Sequence, residues 1–104
     1  MSVARMPEWR PKAWDDVEVH AVSVGSAGQK FLDCINDTVE LLCLHPELGG
    51  VFETSNPRLF GLRAKLVSDF CRFVVFYRPH AEAIEVVRVL GGGQDMYALI
   101  DAEV

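Results

Sequence analysis

The chain has 104 residues, of which 50% are hydrophobic, 24% charged and 10% aromatic. This composition can bury enough apolar surface to offset chain entropy, so it excludes wholesale disorder and predicts one domain over residues 1–104. The formal net charge is −5, from 10 basic and 15 acidic side chains. This balance argues against direct nucleic-acid binding through a broad basic surface.

No run approaches the roughly 18 consecutive apolar residues of a membrane span, and residues 1–12 lack the apolar core of a signal peptide. We therefore expect a cytoplasmic protein without a membrane partner. Cys34, Cys43 and Cys71 are odd in number and form no C-x-x-C pair. They are expected to be reduced, mostly buried thiols that form neither a disulfide framework nor a zinc site.

The first half of the chain carries the pattern of two amphipathic helices. Residues 2–9 precede them and fit either a first strand or a loose terminus. Pro11 suits the first turn of a helix, and apolar residues then recur every three or four positions, at Trp14, Val17, Ala21 and Val24.

The second helix is predicted to follow a break at residues 25–28. Ser26 and Gln29 fit a capping box that would open it. Its apolar face consists of Leu32, Ile35, Val39, Leu42 and Cys43. Pro46 should end the helix near His45, because proline disfavours helical geometry in the residue before it. The short break predicts an antiparallel helical hairpin.

The second half is rich in β-branched and aromatic residues, which favour strands. Strands are predicted over residues 58–67, 70–78 and 83–90, joined by short turns into an antiparallel meander. The last two strands are apolar on both faces, so one face should receive the hairpin and the other needs a different cover. After three glycines at 91–93, Met96, Leu99 and Ile100 predict a short closing helix.

The sequence offers no cofactor or metal site. His20, His45 and His80 fall in different predicted elements, so we expect surface or helix-end positions for them. Cys34 has no base beside it in the sequence. The triple glycine lacks the lysine and hydroxyl of a phosphate-binding loop and follows the last strand, so we interpret it as a turn.

Basic side chains concentrate in one stretch, because residues 58–80 hold five basic groups against one acid, Asp69. A period of two along the strand places Arg72 and Arg78 on one face with Phe70, Val74 and Phe76. A charge within an apolar stripe needs a partner. Two interpretations stay open. In the first, the arginine forms an intramolecular pair with an acid such as Glu85. In the second, the sheet face receives a ligand, either an acidic or apolar peptide or a phosphate.

Five strings follow one another over residues 10–100. They are Arg10-Pro11-Lys12-Ala13 with Asp16, Leu44-His45-Pro46-Glu47-Leu48-Gly49, Pro57-Arg58-Leu59-Phe60-Gly61-Leu62-Arg63, Phe70-Cys71-Arg72-Phe73-Val74-Val75-Phe76-Tyr77-Arg78 and Ile84-Glu85-Val86-Val87-Arg88-Val89-Leu90. In their order and spacing they resemble the RelE/ParE superfamily of toxins from bacterial toxin-antitoxin modules, most closely the ParE branch.

The resemblance implies an α+β fold: an N-terminal strand, an antiparallel helical hairpin packed on a three- to four-stranded antiparallel sheet, and a short C-terminal helix. It also implies a type II toxin that is neutralised by a cognate antitoxin. ParE-like members act on DNA gyrase by protein contact, whereas RelE-like members cut messenger RNA on the ribosome. A third hypothesis is a non-toxic interaction domain derived from the fold.

Arg58, Arg63, Arg72, Arg78 and Tyr97 are the predicted partner-binding residues. An RNA-cleaving toxin would use Arg63, Arg72, Arg78 and Tyr97, but no complete set of acid, base and phosphate ligands is visible. We therefore favour a protein that is not an enzyme, and assign no catalytic residue. Where the ParE pattern has Leu-His-Gly-Ala-Arg-Asp-Leu, this chain has residues 90–96 as LGGGQDM. The missing His and Arg predict weak or absent gyrase inhibition, which Gly91→His with Gln94→Arg should strengthen.

Overall fold

The computed structural model describes residues 4–104. Residues 1–3, which include the start of the segment interpreted as a strand or a loose terminus, lie outside the described residues. The helices are α1 (Pro11–Ser23), α2 (Gly28–Leu44) and α3 (Met96–Asp101), and the strands are β1 (Met6–Trp9), β2 (Gly50–Val51), β3 (Arg63–Val67), β4 (Phe70–Pro79) and β5 (Ala83–Gly91). Two short 3-10 helices cover Gly25–Ala27 and Pro57–Leu59.

The five strands form one sheet in the order β1-β5-β4-β3-β2. β1 runs parallel to β5, and the other neighbouring pairs are antiparallel. The expected α+β fold is confirmed, including the meander, the completing N-terminal strand and the closing helix. The sheet has one strand more than expected, because β2 is only two residues long and too short to leave a period in the sequence.

The helical hairpin forms with one difference in its connection. α2 ends at Leu44, as Pro46 predicted. The capping box of Ser26 and Gln29 does not form: Gly25–Ala27 is a 3-10 helix, α2 has no side-chain cap, and the Gln29 amide donates to Asp33 instead. A 3-10 turn leaves no extended residue at Ser26, which a capping serine requires.

Each face of the sheet has its own core. On the hairpin side, the fully buried side chains include Val17, Phe31, Ile35, Leu42, Val75, Tyr77 and Val86. On the opposite side, which we call the outer face, they are Leu59, Leu62, Phe76, Val87, Leu90 and Ile100. At about 1.5–3 kcal/mol for each large buried apolar side chain, both cores contribute to stability. The second cover that the apolar strands required is therefore supplied largely by α3 and residues 52–62 of the same chain.

Two predicted positions in the sheet are wrong. The strand predicted over residues 58–67 begins only at Arg63, because Pro57–Leu59 winds into a 3-10 helix capped by the Asn56 side chain. Phe70 does not share the outer face, and its ring packs against Phe31 in the hairpin core. A register shift between Leu66 and Val67 causes this change of side.

Strand β1 is too short to pair with the whole of β5, so the end of β5 has no neighbouring strand on that edge of the sheet. Helix α1 covers this edge. The Val89 N–H donates to the Asp16 carboxylate at 3.0 Å, and the Val89 carbonyl lies 2.9 Å from His20 Nε2. His20 lies in the last turn of α1, one of the two positions expected for it, but it is only 9% exposed and does not lie at the surface. Both backbone groups of Val89 are thus satisfied by side chains, as a buried edge requires.

Cys34 and Cys43 are buried free thiols, whereas Cys71 is an exposed free thiol. Burial raises the pKa of the Cys34 and Cys43 thiols, so both stay protonated at neutral pH. Among residues 4–104, no helix has the length and hydropathy needed to span a bilayer.

Candidate protein-binding surface

Arg78 is held inside the chain by Glu85. The two residues face each other across β4 and β5, and Arg78 Nε donates to Glu85 Oε1 at 2.8 Å. The same carboxylate accepts from Arg10 Nε at 2.7 Å and contacts His80 Nε2 at 3.0 Å. The intramolecular interpretation therefore holds for the Nε of Arg78, whose side chain is 21% exposed.

This network changes the acidity of Glu85. Burial acts to raise its pKa, but hydrogen bonds from His80, Arg78 and Arg10 outweigh burial and lower the pKa from 4.5 to about 2. Glu85 is consequently ionised at any physiological pH. The network fastens β1, β4 and β5 together at one end of the sheet.

A second pair joins Arg88 to helix α1. Arg88 Nε and Nη2 donate to the two oxygens of Asp16 at 2.7 and 2.9 Å. The hydrogen bonds that Arg88 donates to Asp16 raise the pKa of Arg88, with Glu103 adding to the effect. Glu103 is 5% exposed, and its carboxylate lies within 3.6 Å of both Arg10 and Arg88. The residues after α3 are thereby tied to β5 and α1.

Arg63 is also engaged by its own chain. Its Nη1 donates to the Gly49 carbonyl at 2.6 Å and to the Glu47 carbonyl at 3.3 Å. The buried Tyr77 hydroxyl braces the same loop, since it donates to the Pro46 carbonyl and accepts from the Gly49 N–H. Arg63 therefore positions the loop between α2 and β2, and its guanidinium is only partly accessible.

Arg72 is different, because it is exposed and makes no ion pair among the described residues. Its guanidinium carbon lies 5.3 Å from the centre of the Phe73 ring. Its carbonyl accepts from the Gly92 N–H, which places it beside the glycine turn. Leu66, 51% exposed, lies opposite the half-buried Val74 at this end of β3 and β4. Arg72 thus presents an exposed cation against the Phe73 ring, at the end of β4 next to the glycine turn.

The glycine turn next to Arg72 tolerates a side chain at one position better than at another. A Cβ on Gly91 would lie 3.3 Å from the Phe73 ring, and a Cβ on Gly93 would meet nothing within 4 Å. The Gln94 side chain holds the turn together, since its Oε1 accepts a hydrogen bond from the Gly91 N–H at 2.7 Å. Gly91→His with Gln94→Arg would therefore disturb the turn, and position 93 is the site that can carry an added side chain.

Asn56 fixes the loop that carries Arg58. It is 8% exposed, and its Nδ2 donates to the carbonyls of Ile100, Asp101 and Glu103 while its Oδ1 accepts from the Arg58 N–H. These bonds link residues 52–62 to the end of the chain beyond α3. Arg58 itself points to solvent, and no described acid lies within ion-pair distance of it.

Tyr97 lies on the outward side of α3 and is 67% exposed. Its ring is 5.0 Å from that of Phe52, which in turn contacts Phe76 edge-on. Of the predicted partner-binding residues, Arg58, Arg72 and Tyr97 are accessible, whereas Arg63 and Arg78 bind their own chain.

The residues that an RNA-cleaving toxin would use do not meet. Arg72 and Arg78 are six residues apart on β4, which corresponds to about 20 Å along a strand. Arg63 faces Tyr77 in the sheet register, next to the Arg78 end. No single phosphate reaches both ends of β4. Residues 4–104 also contain no cluster of histidine, cysteine and acidic side chains able to hold a metal ion.

Sequence reasoning missed Asn56, Asp16 and the shared role of Glu85. The Asn56-Pro57 pair signalled a turn, and Asp16 belonged to a string that the resemblance singled out. Their partners lie 44 to 75 residues away, at Ile100, Val89 and Arg10. Spacing along the chain carries no information about contacts of this range.

Comparison with solved structures supports the fold. A chain of the chromosomal ParDE TA system from P. aeruginosa superposes with a TM-score of 0.64, at 20% sequence identity, covering 86% of this chain and 98% of that one. No curated protein sequence matches. The fold is that of the RelE/ParE superfamily. The sequence model of one family, described as "ParE toxin of type II toxin-antitoxin system, parDE", matches residues 8–96. The chain belongs to this family.

Proposed function

We propose that this protein poisons DNA gyrase by direct protein contact and that a cognate antitoxin neutralises it. The observation that carries the proposal is the match to the ParE toxin family over residues 8–96. The separation of Arg72 from Arg63 and Arg78 supports a mechanism without RNA cleavage, because such chemistry needs converging cations, an acid and a base.

The antitoxin is proposed to bind along a rim formed by the accessible side chains Arg58, Arg72 and Tyr97. Arg72 offers a guanidinium that has no ion-pair partner among the described residues and lies 5.3 Å from the Phe73 ring, which suits a peptide that brings a carboxylate. Arg63 and Arg78 contribute indirectly, by fixing the loop before β2 and the end of the sheet.

Two measurements test the two halves of the proposal. In a supercoiling assay with purified gyrase, the protein should inhibit at micromolar concentrations, and Gly93→His should strengthen inhibition by adding a side chain at the open turn position. No inhibition at saturating protein would refute the choice of gyrase.

For the antitoxin half, Arg72→Ala should weaken binding of the co-purified antitoxin about tenfold or more, because it removes a charge-assisted contact. Lys12→Ala is the matched control, since Lys12 is an exposed cation in the first turn of α1, next to Arg10 at the Glu85 end of the sheet. Equal affinity of the wild type and Arg72→Ala would exclude the rim as the binding site.

A further inference from the structure

Three leucine side chains are exposed where helix α2 ends. Leu41 is 38% exposed, Leu44 58% and Leu48 47%. Leu41 and Leu44 are neighbours on the helix surface because they are three residues apart, and Leu44 and Leu48 line one cleft together. Single exposed apolar residues are ordinary on protein surfaces, whereas adjacent ones are typical of contact surfaces. We call Leu41, Leu44 and Leu48 the leucine patch.

Two open clefts flank Leu44 between α2 and the start of the chain's first strand. One has a volume of about 440 Å³, and Pro46 and Leu48 line it together with Leu44. The other has a volume of about 370 Å³, and its lining includes Pro7 and Cys43 as well as Leu44. The clefts give the aliphatic side chains of a partner a place on both sides of Leu44.

The charges around the leucine patch are mainly negative. Glu40 lines one cleft and Glu47 lines the other. Asp37 lies three residues before Glu40, on the same side of α2. None of these three carboxylates forms an ion pair within residues 4–104. The basic residues at the clefts are Arg5, which lines both, and His45, which lines one. Three acids thus surround the patch against one permanent cation.

These features favour a basic amphipathic helix of another protein. Two helices pack by fitting side-chain ridges into grooves, so apolar residues three or four positions apart on a partner helix can meet Leu41 and Leu44. Lysine or arginine side chains next to those residues would pair with the surrounding carboxylates.

A second copy of this chain has the wrong charge for the leucine patch. Acids predominate on the exposed sides of its two long helices, so two copies would bring like charges together. The exposed acids of α1 and α2 are Asp15, Glu18, Asp33, Asp37 and Glu40, against the exposed cations Lys12 and Lys30.

We propose that the leucine patch binds a basic amphipathic helix of a second protein. This contact goes beyond the proposed function, and it differs from the antitoxin rim, where exposed arginines suit an acidic peptide. Leu44 supplies the central apolar contact. Glu40 and Glu47, one in each cleft, select the charge of the partner.

The test uses a synthetic helical peptide of about 18 residues, with leucines on one face and lysines on the other, titrated into the full chain by calorimetry. An analogue with glutamate in place of each lysine is the charge control. Leu44→Ala and Glu40→Gln are compared with Val22→Ala and Glu18→Gln, which change an exposed apolar residue and an exposed acid on α1. Thermal unfolding checks that each variant keeps the wild-type midpoint.

The lysine peptide should bind Leu44→Ala about tenfold more weakly than the wild type and Glu40→Gln about threefold more weakly. Both α1 variants should match the wild type, and the glutamate analogue should not bind. A lysine peptide that fails to bind, that binds all variants equally, or that binds no better than its glutamate analogue would overturn the proposal. Self-association of the wild type that Leu44→Ala removes would assign the patch to a second copy and overturn it as well. None of these results bears on gyrase inhibition, which the supercoiling assay measures separately.

Discussion

Replacing Glu85 by Gln should destabilise the protein strongly at neutral pH and far less in acid. The substitution keeps the size of the side chain but removes the charge that Arg10, Arg78 and His80 share. Glutamine therefore mimics protonated Glu85. The pKa of Glu85 is lowered from 4.5 to about 2 in the folded chain. At about 1.4 kcal/mol for each pKa unit, ionised Glu85 contributes about 3 kcal/mol to folding at pH 7.

The sign of the pH dependence follows from the lowered pKa. The contribution is complete above the unfolded pKa of 4.5 and disappears as the pH falls through about 2. At pH 3 we expect less than about half of the difference between wild type and Glu85→Gln to remain. Urea unfolding, followed through Trp9 and Trp14, measures the free energy at both pH values.

The control is Glu82→Gln, because Glu82 is an exposed acid in the turn between β4 and β5, close in sequence to Glu85. Its free energy of unfolding should stay within about 0.5 kcal/mol of wild type at both pH values. A loss in Glu85→Gln that is the same at pH 7 and pH 3 would show that packing, and not charge, gives Glu85 its effect.

Three further substitutions test other parts of the structure by urea unfolding. Asn56→Ala should cost about 2 kcal/mol or more, because it leaves the buried Glu103 carbonyl without its donor and removes the cap of the Arg58 N–H. Gly49→Ala should cost about 1–3 kcal/mol, since its Cβ would lie 2.7 Å from the Ala64 carbonyl and the Tyr77 ring. Gly93→Ala should be neutral or slightly stabilising, because its Cβ meets nothing within 4 Å. A stable Gly49→Ala or a destabilised Gly93→Ala would contradict the described turns.

The sequence was informative wherever a local rule governs the backbone. Proline at 46 ended α2 at Leu44, and runs of β-branched and aromatic residues between short turns placed β4 and β5. The start of β3 was wrong because Pro57 also suits a 3-10 turn, and the Asn56 cap decided between the two conformations. The outer face of the sheet was expected to need a cover other than the helical hairpin. In the structure, α3 and residues 52–62 of the same chain supply most of this cover.

For the candidate surface, residue type alone did not predict which arginines form ion pairs within the chain and which have no ion-pair partner. Arg72 and Arg78 lie on the same strand, yet only Arg78 faces an acid, because Glu85 lies opposite it in the register of β4 and β5.

The central claim, poisoning of gyrase by protein contact, is tested most directly by induced expression of the chain alone in a bacterial host. Growth, the DNA-damage response and bulk translation are followed together in the same culture. We expect growth to stop and damage signalling to rise while translation is still intact. Translation that stops first, with transcripts cleaved and no damage signal, would contradict it.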